Sequence, residues 1–310
     1  VPVALGGVYA TLCTAHARQV TGADRVIAGP GLVPALRFAG EVTGRDLESD
    51  RYTDPRSWPP AAHDLVPRPF AGLITSWGCP YRCSYCAGHL LQPILARREA
   101  AAVLDEVEEG IRRGIHDWAF YDDALLLDAD RHLAPILEGL LARGRPLRLH
   151  APNGLHVRAM TPSLAALLYR AGLDAAWLSL ETVDDERQRA TGGKVPPGAF
   201  EEAVACLRVA GLGPGQVGAY VLAGLPGQEL DEVEATVRFV HGQGAQVKLT
   251  HFSPIPGTPD GDRTLPPGAD PLLHNKTVAP YLRGDDHVRR LQRLVLLVQE
   301  GNTARAGRSS

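Results

Sequence analysis

Three cysteines fall within eight residues, Cys79-Pro-Tyr-Arg-Cys83-Ser-Tyr-Cys86, while the other two, Cys13 and Cys206, are isolated. Thiolates at such spacing are ligands for zinc or for an iron-sulfur cluster. A structural zinc site is filled by four ligands, and here only three are local, so His89 or a distant residue would have to complete a zinc knuckle. A 4Fe-4S cube held by three cysteines instead leaves one iron open to an exogenous ligand, which a structural site does not need and catalysis does. Three clustered cysteines in an odd total of five suit a metal site in a reducing compartment better than a disulfide framework.

Further polar residues recur at the ends of strand-like segments. Tyr121-Asp122-Asp123 and Ala151-Pro152-Asn153-Gly154 are two such ends. In Ser179-Leu180-Glu181 the alternation of a strand aims Ser179 and Glu181 at one side and Leu180 at the other. Lys194 follows in Ala190-Thr-Gly-Gly-Lys194, and a glycine-rich stretch runs from Gly218 through Leu222 and Gly224 to Gly227. Each has a plainer role beside the chemical one. The aspartates can cap the next helix, Pro-Asn-Gly makes a turn by itself, a lysine is commonly solvated, and turns need glycine.

The elements that would carry these residues alternate. Strands are predicted at Ala71 to Ser76, Asp117 to Tyr121, Leu147 to Ala151, Ala175 to Leu180, Gln216 to Leu222 and Gln246 to Phe252. Between them Val103, Val107 and Ile111 recur at helical spacing, as do Val204 and Leu207, and Val233, Val237 and Val240. Six β-α units of this kind predict an α/β fold, a partial (β/α)6 TIM-like barrel, with its chemistry at the C-terminal ends of the strands. The cysteine loop directly follows the first of them. Residues 3 to 13 and 22 to 31 each set a short apolar strand before a glycine turn, the rhythm of a Rossmann-like sheet. Residues 1–38 are therefore read as an α/β segment, 39–69 as a proline-rich linker, 70–260 as the barrel, and 261–310 as a C-terminal extension. In the last, a helix over Val288 to Val298 turns Leu291, Leu294, Val295 and Val298 to one face.

With CxxxCxxC after a strand and Tyr85 before the last cysteine, the sequence resembles the radical S-adenosylmethionine (SAM) superfamily from about residue 70 to 260. The resemblance implies a 4Fe-4S cluster on Cys79, Cys83 and Cys86 whose open iron binds the methionine moiety of SAM, and reductive cleavage to a 5'-deoxyadenosyl radical. It implies that Tyr121, Asp122 and Asp123, in place of the family's Gly-Gly-Glu, receive the methionine ammonium. It further implies cofactor contacts by Tyr85, Asn153, Ser179, Glu181 on the ribose, Lys194 on the methionine carboxylate, and Leu222 and Gly224 around the adenine. The catalytic residues proper stay unassigned. Residues 1–38 resemble the back half of a cobalamin-binding domain. Its Asp-x-His-x-x-Gly loop is absent, His16 reads as a helix-surface residue, and the second strand departs from the pattern at Ala28-Gly29-Pro30-Gly31. Cobalamin is accordingly expected only in a longer product. The whole pattern, with Leu273-His274-Asn275, resembles a group of cobalamin-domain radical enzymes.

The chain of 310 residues is 45% hydrophobic and 22% charged, enough to bury a large core. Its 32 basic and 35 acidic residues, for a formal charge of -3, give no argument for nucleic acid or an anionic membrane. Neither a membrane span nor an export signal is visible, so the cytoplasm is the expected compartment. The chain starts at Val1 inside an apolar run, as a piece of a longer product would. The expected partners are a small-molecule substrate and an external electron donor of the flavodoxin or ferredoxin type. Methylation or rearrangement of a small molecule are the uses expected of the radical. The rival reading is an iron-sulfur electron carrier that does not cleave SAM, but such a carrier usually closes its cluster with a fourth protein ligand and has no need of a barrel.

Overall fold

A computed structural model describes residues 1–65, 68–196, 198–273 and 280–306. Strands β1 (Ala4–Leu5) and β2 (Arg25–Val26) pair in parallel near the start of the chain, with helices Val8–Leu12 and Thr14–Val20 between them. Helix Leu32–Thr43 then runs across residue 38 and ends on Gly44, whose φ of 69° is the left-handed cap that glycine takes without strain. Two 3-10 turns, Ser49–Tyr52 and Pro55–Ser57, lead into the barrel.

The barrel is built from β3 (Phe70–Leu73), a short outlying ribbon of β4 (Ser76–Trp77) and β5 (Ala96–Arg97), then β6 (Asp117–Phe120), β7 (Arg148–His150), β8 (Leu155–His156), β9 (Ala176–Glu181), β10 (Val217–Ala223) and β11 (Gln246–His251). The parallel order is β3-β6-β7 in one sheet and β8-β9-β10-β11 in another, and a bridge between Leu149 and Leu173 links the two. Helices Ala100–Arg112, Leu133–Ala142, Pro162–Arg170, Ala199–Ala210 and Leu230–Gly242 connect the strands. The expected six-unit α/β barrel is present.

Strand alternation explains where the core sits. Leu73, Trp118, Phe120, Leu149, Leu178 and Val221 point outward into one apolar cluster with the helices. Full burial of each large side chain contributes about 1.5 to 3 kcal/mol. Helix Ala100–Arg112 approaches closely because residue 110 is glycine: a Cβ there would sit 2.3 Å from the Trp118 ring. The opposite face carries Gly72, Ala119, His150, Trp177, Tyr220 and Lys248 in place of the branched apolar layers that fill a closed barrel. The interior is consequently polar and partly open.

β11 ends the sheet, and its outer edge is covered by helix Asp285–Ala306. The Asn302 side-chain amide accepts from Val247 N at 2.9 Å and donates to Val247 O at 2.8 Å, pairing the edge as another strand would. Leu291, Leu294 and Val298 of this helix are buried, the face that the spacing predicts, although the helix is longer than 288 to 298. No helix among the described residues is long and apolar enough to cross a membrane. Of Leu273-His274-Asn275, the last two lie outside the described residues.

Candidate active site

The first barrel strand is expected to run to Ser76, but it stops at Leu73. The cause is Asp122, which is buried beside it. Its carboxylate accepts from Thr75 N at 3.1 Å, Thr75 Oγ1 at 2.6 Å, Ser76 N at 2.6 Å and Ser76 Oγ at 2.7 Å. Thr75 Oγ1 in turn lies 2.9 Å from His132 Nε2. Those captured N–H groups can no longer extend the ladder, so the chain leaves the sheet. Gly78 completes the turn with φ 82°, in a gap where a Cβ would lie 2.5 Å from Ile94 O. Only glycine fits there.

The cysteine loop that follows is held from three sides. Ser84 N donates to Thr191 O at 3.3 Å, and Gly192, at φ 119°, brings its backbone against Cys83. Ser84 Oγ donates to buried Asp260, whose own N–H donates to Ser84 O at 3.0 Å. Tyr81 stacks on His156 with ring centroids 4.2 Å apart. The thiols also receive hydrogen bonds: Gly88 N donates to Cys86 Sγ at 3.4 Å, Tyr81 N to Cys79, and the Tyr85 hydroxyl to Cys83.

Above the strand ends lies a cavity of about 450 Å³. Cys79, Cys83, Cys86 and Tyr85 line it, and so do Asp123, Asn153, Ser179, Glu181, Lys194 and Leu222. These are ten of the thirteen residues singled out in the sequence. The other three lie elsewhere. Asp122 is consumed by the turn just described. Tyr121 is half exposed on the inner barrel face, where it lines a separate cavity of about 370 Å³ with His150 and Arg148. Gly224 faces away from the cysteines; its N–H donates to Gln228 Oε1 at 2.8 Å and its carbonyl accepts from Arg283 Nη2 at 3.0 Å.

The electrostatics of the cavity are set by burial. Glu181 has φ 69°, a left-handed conformation uncommon outside glycine, and its carboxylate lies 3.4 Å from Lys194 Nζ. Burial raises the pKa of Glu181, and the lysine opposes that shift. Burial also raises Asp123, with the charge of Asp122 adding to it and a hydrogen bond from the Gly78 N–H opposing. The Cys79 and Cys83 thiols are likewise pushed up by burial. Asn153 Nδ2 donates to Tyr121 O at 2.9 Å, which fixes the third strand end to the second.

Several lining residues escape the sequence reading. His156 is the most informative: both ring nitrogens are buried without a partner, and its pKa falls to about 3 through burial first and then the charges of Lys194 and Arg158. It therefore stays neutral. A two-residue strand directly after a Pro-Asn-Gly turn has too little length to show a period, so nothing in the sequence marks β8. Tyr220, two residues before Leu222 on the same strand, and Thr250, its register partner on β11, share the inward face and also line the cavity.

The donor set fits an iron-sulfur cube better than a zinc ion. A structural zinc is filled by four protein ligands, whereas the cysteines lining this cavity number three. A cube takes one thiolate at each of three different irons and so needs them spread around an open space, which the three cysteines at the rim of one cavity provide.

The sequence profile of the radical SAM superfamily matches residues 73–240. An uncharacterised methyltransferase of Pyrococcus horikoshii is 24% identical over 290 residues, an alignment that covers 83% of this chain and 61% of that protein. Among solved structures, the radical S-adenosylmethionine methyltransferase TsrM from Kitasatospora setae is similar in two states. With tryptophan substrate and the SAM analogue aza-SAM it gives a TM-score of 0.69 at 20% identity, over 85% of this chain and 58% of TsrM. With cobalamin and a 4Fe-4S cluster it gives 0.56 at 23% identity, over 63% of this chain and 36% of TsrM. At such identities the likeness establishes a shared fold, and the chain spans less than two thirds of each of these relatives.

Proposed function

The chain belongs to the radical SAM superfamily, and from that premise we propose that the barrel-mouth cavity is the active site of an enzyme that cleaves SAM reductively and uses the radical on a small molecule. When bound through Cys79, Cys83 and Cys86, a 4Fe-4S cluster would supply the electron and hold the methionine end of SAM. The protein's share is orientation and exclusion of water. Asp123 presents a carboxylate for the methionine ammonium, Lys194 a cation for its carboxylate, and Glu181 and Ser179 acceptors for ribose hydroxyls. Leu222, with Leu225, Phe252 and Tyr85, forms an apolar corner suited to an adenine ring. An external flavodoxin or ferredoxin is the proposed electron source.

The observation that carries this reading is the common cavity: three thiols, an inward carboxylate and a Glu-Lys pair, brought together from three separate strand ends. An electron carrier has no use for such a space. Among the possible reactions we favour methyl transfer, since the Pyrococcus horikoshii relative and TsrM are both described as methyltransferases. Cobalamin is assigned only to a product that adds further strands to the pair β1 and β2.

Anaerobic reconstitution tests the proposal. The chain is expected to take up about four irons and four sulfides and, once reduced, to release 5'-deoxyadenosine and methionine from SAM. Cys79→Ala, Cys83→Ala and Cys86→Ala should each abolish both, while Cys13→Ala and Cys206→Ala should change neither. Stoichiometric zinc without a cluster spectrum would overturn it.

A further inference from the structure

One charged, solvent-exposed side chain on the inward face of the sheet has no role in the site as described. Lys248 lies on the inward face of β11, two residues below Thr250, which lines the cavity. Its neighbour in register on β10 is Tyr220, another lining residue. Lys248 Nζ sits 3.7 Å from the centroid of the Trp177 ring and 5.5 Å from that of Tyr220. Among the described residues no carboxylate pairs with it. Trp177 reaches it because residue 218 is glycine, over which the indole lies; a Cβ there would come within 2.3 Å of the ring. Tyr220 is pinned from behind, its hydroxyl donating to Pro152 O at 2.7 Å.

A cation resting on aromatic faces is held weakly. A cation-π contact is weaker than a charge-assisted hydrogen bond to a carboxylate. The ammonium is also partly desolvated, and burial lowers its pKa. A solvent-exposed lysine on the inward face of the strand, two residues from cavity-lining Thr250 and without a carboxylate partner among the described residues, is open to an anion that arrives with a ligand.

We propose that Lys248 is the counter-charge for a carboxylate on the substrate, and that the substrate is a small organic monoanion with an apolar body lying against Tyr220. This rests on the proposed function. Two residues along a strand span about 7 Å, so the carboxylate sits about that far below the layer of Leu222 and Thr250. The reacting carbon is then at the opposite end of the molecule, toward the cofactor groups. One cation matches one negative charge, which favours a carboxylate over a phosphate dianion.

The probes are 3-phenylpropionate and its neutral amide, titrated calorimetrically into the anaerobically prepared 310-residue chain. Wild type should bind the acid about tenfold or more tightly than the amide. Lys248→Met should erase that preference and Lys248→Arg should keep most of it; should the methionine variant fail to fold, Lys248→Gln takes its place. Equal affinity of wild type for acid and amide, or a preference that survives loss of the lysine charge, overturns the inference. Iron content and 5'-deoxyadenosine release, measured on the same preparation, report separately on the proposed function, so the two can fail independently.

Discussion

Lys194 Nζ lies 3.4 Å from Glu181 Oε1, both side chains being 16% exposed, and the contact joins the end of β9 to the glycine loop that backs the cysteines. Glu181 stands in a left-handed conformation at the rim of the cavity, and Gly192, two residues before Lys194, has its backbone against Cys83.

Breaking such a pair from one side should cost more than removing it whole, because the remaining charge is left half-desolvated. Glu181→Gln and Lys194→Met are each expected to lower unfolding free energy by about 1 to 3 kcal/mol, and the double variant by clearly less than the sum. Urea unfolding of the four proteins measures the coupling. Strict additivity would show that solvent screens the contact.

Asp122 and Asp123 are neighbours with opposite tasks. Asp122→Ala removes the acceptor of four buried hydrogen bonds and should destabilise the fold by about 3 kcal/mol or more. Asp123→Ala should leave stability within about 1 kcal/mol and weaken SAM binding by the roughly 1.5 to 3 kcal/mol of a lost charge-assisted contact. Thermal unfolding and equilibrium dialysis with SAM separate the two, and an exchange of the two phenotypes would reverse the assignment.

His156 should make the protein acid-sensitive. An unfolded histidine takes up its proton near pH 6.5, whereas in the fold His156 resists protonation down to about pH 3. Throughout that window the unfolded chain binds more protons, so stability is lost as pH falls from 6.5 toward 3. His132, His241 and His287, whose pKa values are also lowered chiefly by burial, add a contribution of the same sign. His156→Gln is expected to reduce the loss of stability between pH 7.5 and pH 5, read from urea midpoints; an unchanged difference would exclude this histidine as a source.

Asn302 should matter far from the cavity. Its amide satisfies both polar groups of Val247 on the edge strand and lies 3.2 Å from His241 Nε2. Asn302→Leu leaves those backbone groups unpaired under a helix, at about 1 to 3 kcal/mol. It should also speed amide hydrogen exchange along β11 while the iron content of the reconstituted chain stays at the wild-type level.

The sequence by itself determined what kind of chemistry is available and roughly where: cysteine spacing is local, and the outward apolar residues of β6, β9 and β10 repeat at a period that needs no tertiary knowledge. Ser179 and Glu181 do line one cavity, as the sequence suggests, although a bulge and the left-handed Glu181 interrupt the alternation between them. The sequence could not say which of two adjacent aspartates turns toward the cysteines, because that depends on Thr75 and Ser76, more than forty positions away, offering their N–H groups to one of them. Nor could it exclude Tyr121 and Gly224, which stand at the expected strand ends but face another cavity and another loop. Only the tertiary structure decided those cases, and it alone brought in His156, Tyr81 and Lys248. A residue's type follows from the sequence, while its neighbours, its burial and hence its pKa follow from contacts between strands distant in the chain.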